Sequence, residues 1–173
     1  MDLEFWIDHA DSLFHQIFMV VMGGLYGIAY VLGTTYNVVN ILVYYVLIPS
    51  SWIYLISRRT TIWLNAISGT LLLIFVLQPN IRESCNSLFR ISVDFLNYVA
   101  DIFGSNYIDI SVYVCVVIVT LIYLIILPFT LPKKITKYLL YTLLVGAAMY
   151  LIFIFPNFKS ILLNAIERYN IQY

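Results

Sequence analysis

Four stretches of the chain contain no Asp, Glu, Lys or Arg, and this feature limits the possible folds more than any other. They are Ser12–Ser57, Thr60–Ile81, Ile110–Pro132 and Tyr138–Phe158. A helix needs about 20 predominantly apolar residues to cross roughly 30 Å of hydrocarbon. The first stretch is 46 residues long, enough for two crossings. The sequence therefore predicts an all-α, polytopic integral membrane bundle.

The composition leaves little room for a soluble domain beside the membrane spans. Of the 173 residues, 62% are hydrophobic and 10% are charged, whereas soluble domains carry about 25% charged residues. We therefore interpret residues 1–173 as one transmembrane domain whose main partner is the lipid bilayer. The formal net charge is zero, so the chain has no basic field that would attract nucleic acid.

Turn residues and prolines divide the apolar stretches into spans. A single helix over the first stretch would be about 69 Å long, so the glycine and asparagine between residues 33 and 37 indicate a turn. We expect five spans, at about residues 13–32, 38–56, 61–77, 110–131 and 138–155. Four spans remain an alternative, in which residues 13–32 lie at the membrane surface.

Two further segments have the pattern of amphipathic interfacial helices, at about residues 80–103 and 158–169. In the first, Glu83, Arg90, Asp94 and Asp101 recur at helical spacing on one face. A helix with such a charged face suits the membrane interface or a groove on a protein, but not the hydrocarbon core.

Basic residues close two of the predicted spans and suggest an orientation. They are Arg58, Arg59, Lys133, Lys134 and Lys137. Two crossings separate the groups, so both lie on the same side of the membrane. The positive-inside rule places that side in the cytoplasm, and we expect the chain in the plasma membrane of a bacterium, its inner membrane.

A stripe of polar residues follows the second and third spans. Its members are Asn37, Asn40 and Tyr44 on the second span and Asn65 and Ser68 on the third, each set at helical spacing. Polar side chains in a membrane must face protein or water. Two interpretations stay open: hydrogen bonds between helices, or the lining of a hydrated pore in an oligomer.

Two features near the start of the chain are compatible with an oligomer. Gly23 and Gly27 form a G-x-x-x-G pattern, which lets two helices approach closely. Glu4, Asp8 and Asp11 share a helical face and would form an acidic mouth if several copies surrounded a pore.

Nothing in the sequence indicates catalysis. We find no nucleophile, phosphate-binding or zinc-protease motif, and the middle of each predicted span lacks ionisable residues that proton-driven transporters need. Asp8, Asp11 and His15 could converge, but a metal site there would lack a fourth protein ligand. We therefore expect no enzyme, no catalytic residue, no cofactor and no metal.

The first functional hypothesis is a homo-oligomeric pore, channel or membrane-permeabilising effector, of the kind that also serves bacterial phage defence. The alternative is a non-conducting structural or accessory subunit of a larger membrane complex. A third possibility is a facilitator for an uncharged solute.

Overall fold

The structure, a computed structural model, describes residues 12–58, 60, 61, 63–161 and 163, and most of these residues lie in helices. Within these residues there is no strand, and the prediction of an all-helical fold is confirmed. The described residues form six helices, α1 Leu13–Val31, α2 Tyr36–Ser57, α3 Trp63–Val76, α4 Ile81–Phe103, α5 Tyr107–Thr130 and α6 Lys133–Ile161. Residues 158–161 of the predicted tail helix continue α6, and the rest of that helix falls almost entirely outside the described residues.

Four of these helices, α1, α2, α5 and α6, are long and apolar enough to cross a membrane. The predicted third span, at about 61–77, is helix α3, which has only 14 residues. At about 1.5 Å per residue, α3 is roughly 21 Å long, shorter than the roughly 30 Å of a hydrocarbon core. The sequence left open whether residues 13–32 cross the membrane or lie at its surface. Among the described residues, α1 is long enough to cross, and the predicted span that is shorter than the hydrocarbon core is α3.

Helices α1 and α2 form a hairpin around a small buried cluster. Gly33 adopts a φ of +61° in the connecting turn, a conformation that glycine reaches without steric cost. Behind the turn, Leu25 and Ala29 of α1 pack against Val39 of α2, and all three are buried. This contact fixes the two helices as neighbours.

Helix α2 passes through Pro49 without ending. A proline removes one backbone hydrogen bond and crowds the carbonyl four residues earlier. The turn Leu42–Leu47, immediately before the proline, is π-helical, and the Ser51 hydroxyl donates a hydrogen bond of 2.7 Å to the Ile48 carbonyl. The wider turn and the hydroxyl together accommodate the proline, as occurs in membrane helices.

Helix α4 bridges α2 and α5. Near its start, Cys85 packs in a buried cluster with Val38 and Ile41 of α2. Near its end, Ala100 packs against Ile110 of α5. These contacts hold the charged, amphipathic helix against the bundle along one face.

The two ends of α4 are stopped in different ways. Asn80 occupies the N-cap position, but its side chain forms no capping hydrogen bond. At the other end Gly104 has a φ of +60°, the left-handed conformation in which glycine commonly ends helices.

Helix α6 is connected to α1 through Gln16. This buried side chain donates from Nε2 to the Phe155 carbonyl at 3.3 Å, and the Tyr150 hydroxyl donates to its Oε1 at 3.2 Å. Tyr150 begins a π-helical turn that precedes Pro156. The contact joins residues more than 130 positions apart in the chain.

Candidate functional site

A partly enclosed cavity of about 320 Å³ lies between α1, α2, α4 and α5. Its volume falls at the small end of the range for ligand pockets, about 300–1,000 Å³. No Asp, Glu, Lys, Arg or His lies among the described residues that line it. Its polar lining includes the side chains of Asn40, Tyr44, Trp52, Ser92, Tyr107 and Ser111.

Two π-helical turns border the cavity from opposite helices. They are Leu42–Leu47 in α2 and Tyr113–Ile118 in α5. Tyr44 from the first turn and Cys115 from the second both line the cavity. A π-helical turn widens the helix and changes the direction of its side chains, and such turns are frequent at functional sites.

Part of the polar lining is hydrogen-bonded within the chain. The Asn40 Nδ2 donates to the Tyr36 hydroxyl at 3.2 Å. The hydroxyls of Tyr45 and Ser92 lie 2.8 Å apart and link α2 to α4 across the cavity wall. These groups already have partners and stabilise the wall.

Three aromatic residues of the lining carry a hydrogen-bond donor that has no partner among the described residues. The Trp52 indole Nε1 is buried and unpaired, while its ring packs edge-on against Tyr123 with centroids 6.0 Å apart. The hydroxyls of Tyr44 and Tyr107 likewise form no hydrogen bond with a described residue. A buried donor without a partner costs about 1–3 kcal/mol, so the Trp52 indole requires an explanation.

The structure distributes the α2 members of the predicted polar stripe over two places. Asn40 and Tyr44 line the cavity. Asn37 does not, and its Nδ2 donates to the Asn86 Oδ1 of α4 at 3.0 Å. Asn86 lies on the same face of α4 as Glu83 and Arg90, and the sequence analysis did not predict its pairing with α2.

The α3 members of the stripe lie away from the cavity. The Asn65 Oδ1 accepts a hydrogen bond of 2.8 Å from the hydroxyl of Ser57, a buried residue at the end of α2. Ser68 is half-buried and forms no hydrogen bond with a described residue. The stripe therefore joins α2 to α3 and α4 rather than forming one continuous polar row.

Of the two sequence features that are compatible with an oligomer, the structure describes only the glycine pair. Gly23 and Gly27 are exposed, and a Cβ at either position would meet nothing within 4 Å. The predicted acidic mouth of Glu4, Asp8 and Asp11 lies outside the described residues.

The basic residues used for orientation lie at helix ends. Arg58 follows α2, and Lys133 and Lys134 begin α6, with all three exposed. Lys137 is also exposed, and its ammonium lies 5.7 Å from the centroid of a tyrosine ring on the same helix. Arg59 lies outside the described residues.

Sequence reasoning missed Trp52 and Tyr107. The chain contains 15 tyrosines and 3 tryptophans, and neither residue stands out by spacing. The only available signal was that the pattern Ser50-Ser51-Trp52 follows a proline inside a span. Their importance appears only when α2 and α5 are placed side by side.

Among the described residues, no group of three His, Cys, Asp or Glu side chains could hold a metal ion. Cys85, outside the apolar spans, is buried, and burial raises the pKa of its thiol. Comparison with known protein families, with curated proteins and with solved structures gives no match for this chain.

Proposed function

We propose that this protein is a non-conducting integral membrane subunit of a larger membrane complex. The proposal rests on one observation. Polar side chains that could line a pore instead form hydrogen bonds with each other within one chain. Asn37 pairs with Asn86, and Asn65 pairs with Ser57. A pore for ions needs free polar groups or carbonyls along a continuous path, and these pairs use up such groups.

The membrane location is supported by the surface of the long helices. Ile125 of α5 and Leu144 of α6 are 62% and 61% exposed, and many large apolar side chains accompany them. Soluble monomers rarely expose apolar patches of more than a few hundred Å², so lipid is the natural solvent for this surface. We propose the bacterial inner membrane as the compartment.

Helix α4 offers the surface for a neighbouring subunit. Outside the face packed on the bundle, it carries an exposed apolar stripe of Ile91, Phe95, Tyr98 and Ile102, at the i, i+4, i+7 and i+11 spacing of one helical face. The charged face lies directly beside this stripe. This arrangement suits the membrane interface, where a helix of a partner would meet apolar groups and a polar rim.

The water accessibility of position 65 distinguishes an Asn65 that is hydrogen-bonded to Ser57 from an Asn65 that lines a water-filled pore. In a chain with Cys85→Ser and Cys115→Ser, we would compare Asn65→Cys with Thr60→Cys, whose native side chain is exposed in the α2–α3 connection. A charged, membrane-impermeant thiol reagent should modify position 60 at least tenfold faster than position 65. Purified protein in liposomes should release no K⁺. Rapid modification at position 65 together with K⁺ release would contradict the proposal.

A homo-oligomeric pore is the second candidate, and the exposed Gly23 and Gly27 surface favours it. The open space at both glycines allows a helix of a second copy to approach closely. Cross-linking into a single defined oligomer, with K⁺ release that Gly27→Leu abolishes, would favour this candidate over the non-conducting subunit.

A further inference from the structure

We infer that the cavity between α1, α2, α4 and α5 is a binding site for a small, uncharged, lipid-soluble molecule that carries a hydrogen-bond acceptor such as a ketone oxygen. The inference goes beyond the proposed function, because binding requires neither conduction nor a partner subunit. It rests on the size, the charge and the unpaired donors of the cavity.

The lack of charge in the lining sets the charge of the ligand. A charged group transferred into a site without a counter-charge loses its hydration and gains no partner. None of the described lining residues is charged. The cavity therefore selects against ions and against zwitterionic lipid headgroups.

The volume limits the size of the ligand. About 320 Å³ accommodates a molecule of two or three fused rings, but not a diacyl lipid. The apolar part of the wall comes from aromatic and aliphatic side chains such as Phe18, Leu25 and Val114. These contacts favour a compact, largely apolar body.

Two unpaired hydroxyls determine the polar feature of the ligand. Tyr44 and Tyr107 line the cavity, and their hydroxyls form no hydrogen bond with a described residue. An acceptor oxygen next to either hydroxyl would gain a hydrogen bond in an apolar site. The Trp52 indole nitrogen is too deeply buried to contact a ligand in the cavity.

Benzophenone, an uncharged diaryl ketone, is a direct probe of the site. When irradiated, it inserts into nearby C–H bonds, and peptide mass spectrometry then locates the modified residues. With the full chain in detergent, we expect saturable labelling that concentrates on the cavity wall, for example at Met22 and Val93. This measurement on the unaltered protein requires no variant to fold.

Two competitors that share the same ring skeleton test whether the ligand needs a hydrogen-bond acceptor. Fluorenone carries a ketone oxygen, and fluorene lacks it. We expect fluorenone to displace benzophenone about tenfold better than fluorene, because one hydrogen bond of about 1.4 kcal/mol corresponds to a tenfold change in affinity. Tyr44→Phe combined with Tyr107→Phe should remove most of that advantage. Tyr141→Phe, which removes the hydroxyl of a tyrosine that is 54% exposed and outside the cavity, should leave the advantage intact.

Each outcome bears on a different claim. Labelling spread over the exposed apolar surface, or labelling that never saturates, would overturn the site itself. Saturable labelling of the cavity with equal competition by fluorenone and fluorene would overturn the acceptor requirement. K⁺ release from liposomes would count against the non-conducting function and would leave the binding result standing.

Discussion

The hydrogen bond between Asn37 and Asn86 provides a quantitative test of how α4 is held on the bundle. The two amides lie 3.0 Å apart, are partly buried and are 49 residues apart in the chain. We would measure a double-mutant cycle with Asn37→Ala, Asn86→Ala and the double variant. Such a cycle isolates the pair from the other effects of each substitution.

The expected coupling energy follows from the environment of the pair. Hydrogen bonds between membrane helices contribute about 0.6 kcal/mol on average and up to about 1.7, and those in soluble proteins about 0.5–1.5 kcal/mol. Because this pair is half-buried, we expect about 1 kcal/mol, which is roughly a fivefold change in the unfolding equilibrium constant. Each single variant should lose about 1–2 kcal/mol, because it leaves one amide without its partner.

Reversible unfolding in mixed detergent micelles, followed by circular dichroism, would give the four free energies. Asn97→Ala is the matched control, since Asn97 is exposed on the same helix and forms no hydrogen bond with a described residue. Its cost should stay within about 0.5 kcal/mol. A coupling energy below about 0.3 kcal/mol, or an Asn97→Ala cost equal to that of Asn86→Ala, would refute the reasoning.

Two further predictions concern single residues. Cys85 is fully buried, whereas Cys115 is partly exposed and lines the cavity. In single-cysteine variants, N-ethylmaleimide should therefore modify Cys115 at least tenfold faster than Cys85, and equal rates would argue against the packing of α4 on α2. Gly104→Ala should lower the free energy of unfolding by about 1 kcal/mol in the same assay, because Gly104 has a φ of +60°. Gly146→Ala is the control, since Gly146 lies in a helix and has no positive φ, and it should cost nothing measurable. A neutral Gly104→Ala would contradict the turn geometry.

The positions of the helices can be predicted from the sequence because nearby residues in the chain determine them. Charge-free stretches of sufficient length, divided by turn residues and prolines, predict where helices run, and α1, α2, α5 and α6 correspond to such stretches. The length of α3 was less predictable. Its apolar stretch, Thr60–Ile81, is about as long as those of α5 and α6, but residues at both of its ends do not join the helix.

The cavity could not be predicted, because it depends on contacts between distant parts of the chain. Asn40 and Tyr44 stood out as polar residues in an apolar span, and both do line it. Trp52 and Tyr107, however, line the cavity because α2 and α5 are neighbours. The spacing of residues along the chain does not predict which helices are neighbours. The π-helical turns of α2 and α5 also change which side chains face inward, so a regular helical pattern cannot locate the lining.

The π-helical turn Leu42–Leu47 makes the second half of α2 tolerant of one particular deletion. It holds one residue more than an α-helical turn would. Removing Val46 would let the turn close into regular α geometry, in which one residue fewer completes about the same rotation. Ser51, which hydrogen-bonds Tyr123, and Trp52 would then keep their direction towards α5. Removing one residue from the regular α-helical segment Tyr36–Ile41 would instead rotate everything after it by about 100°.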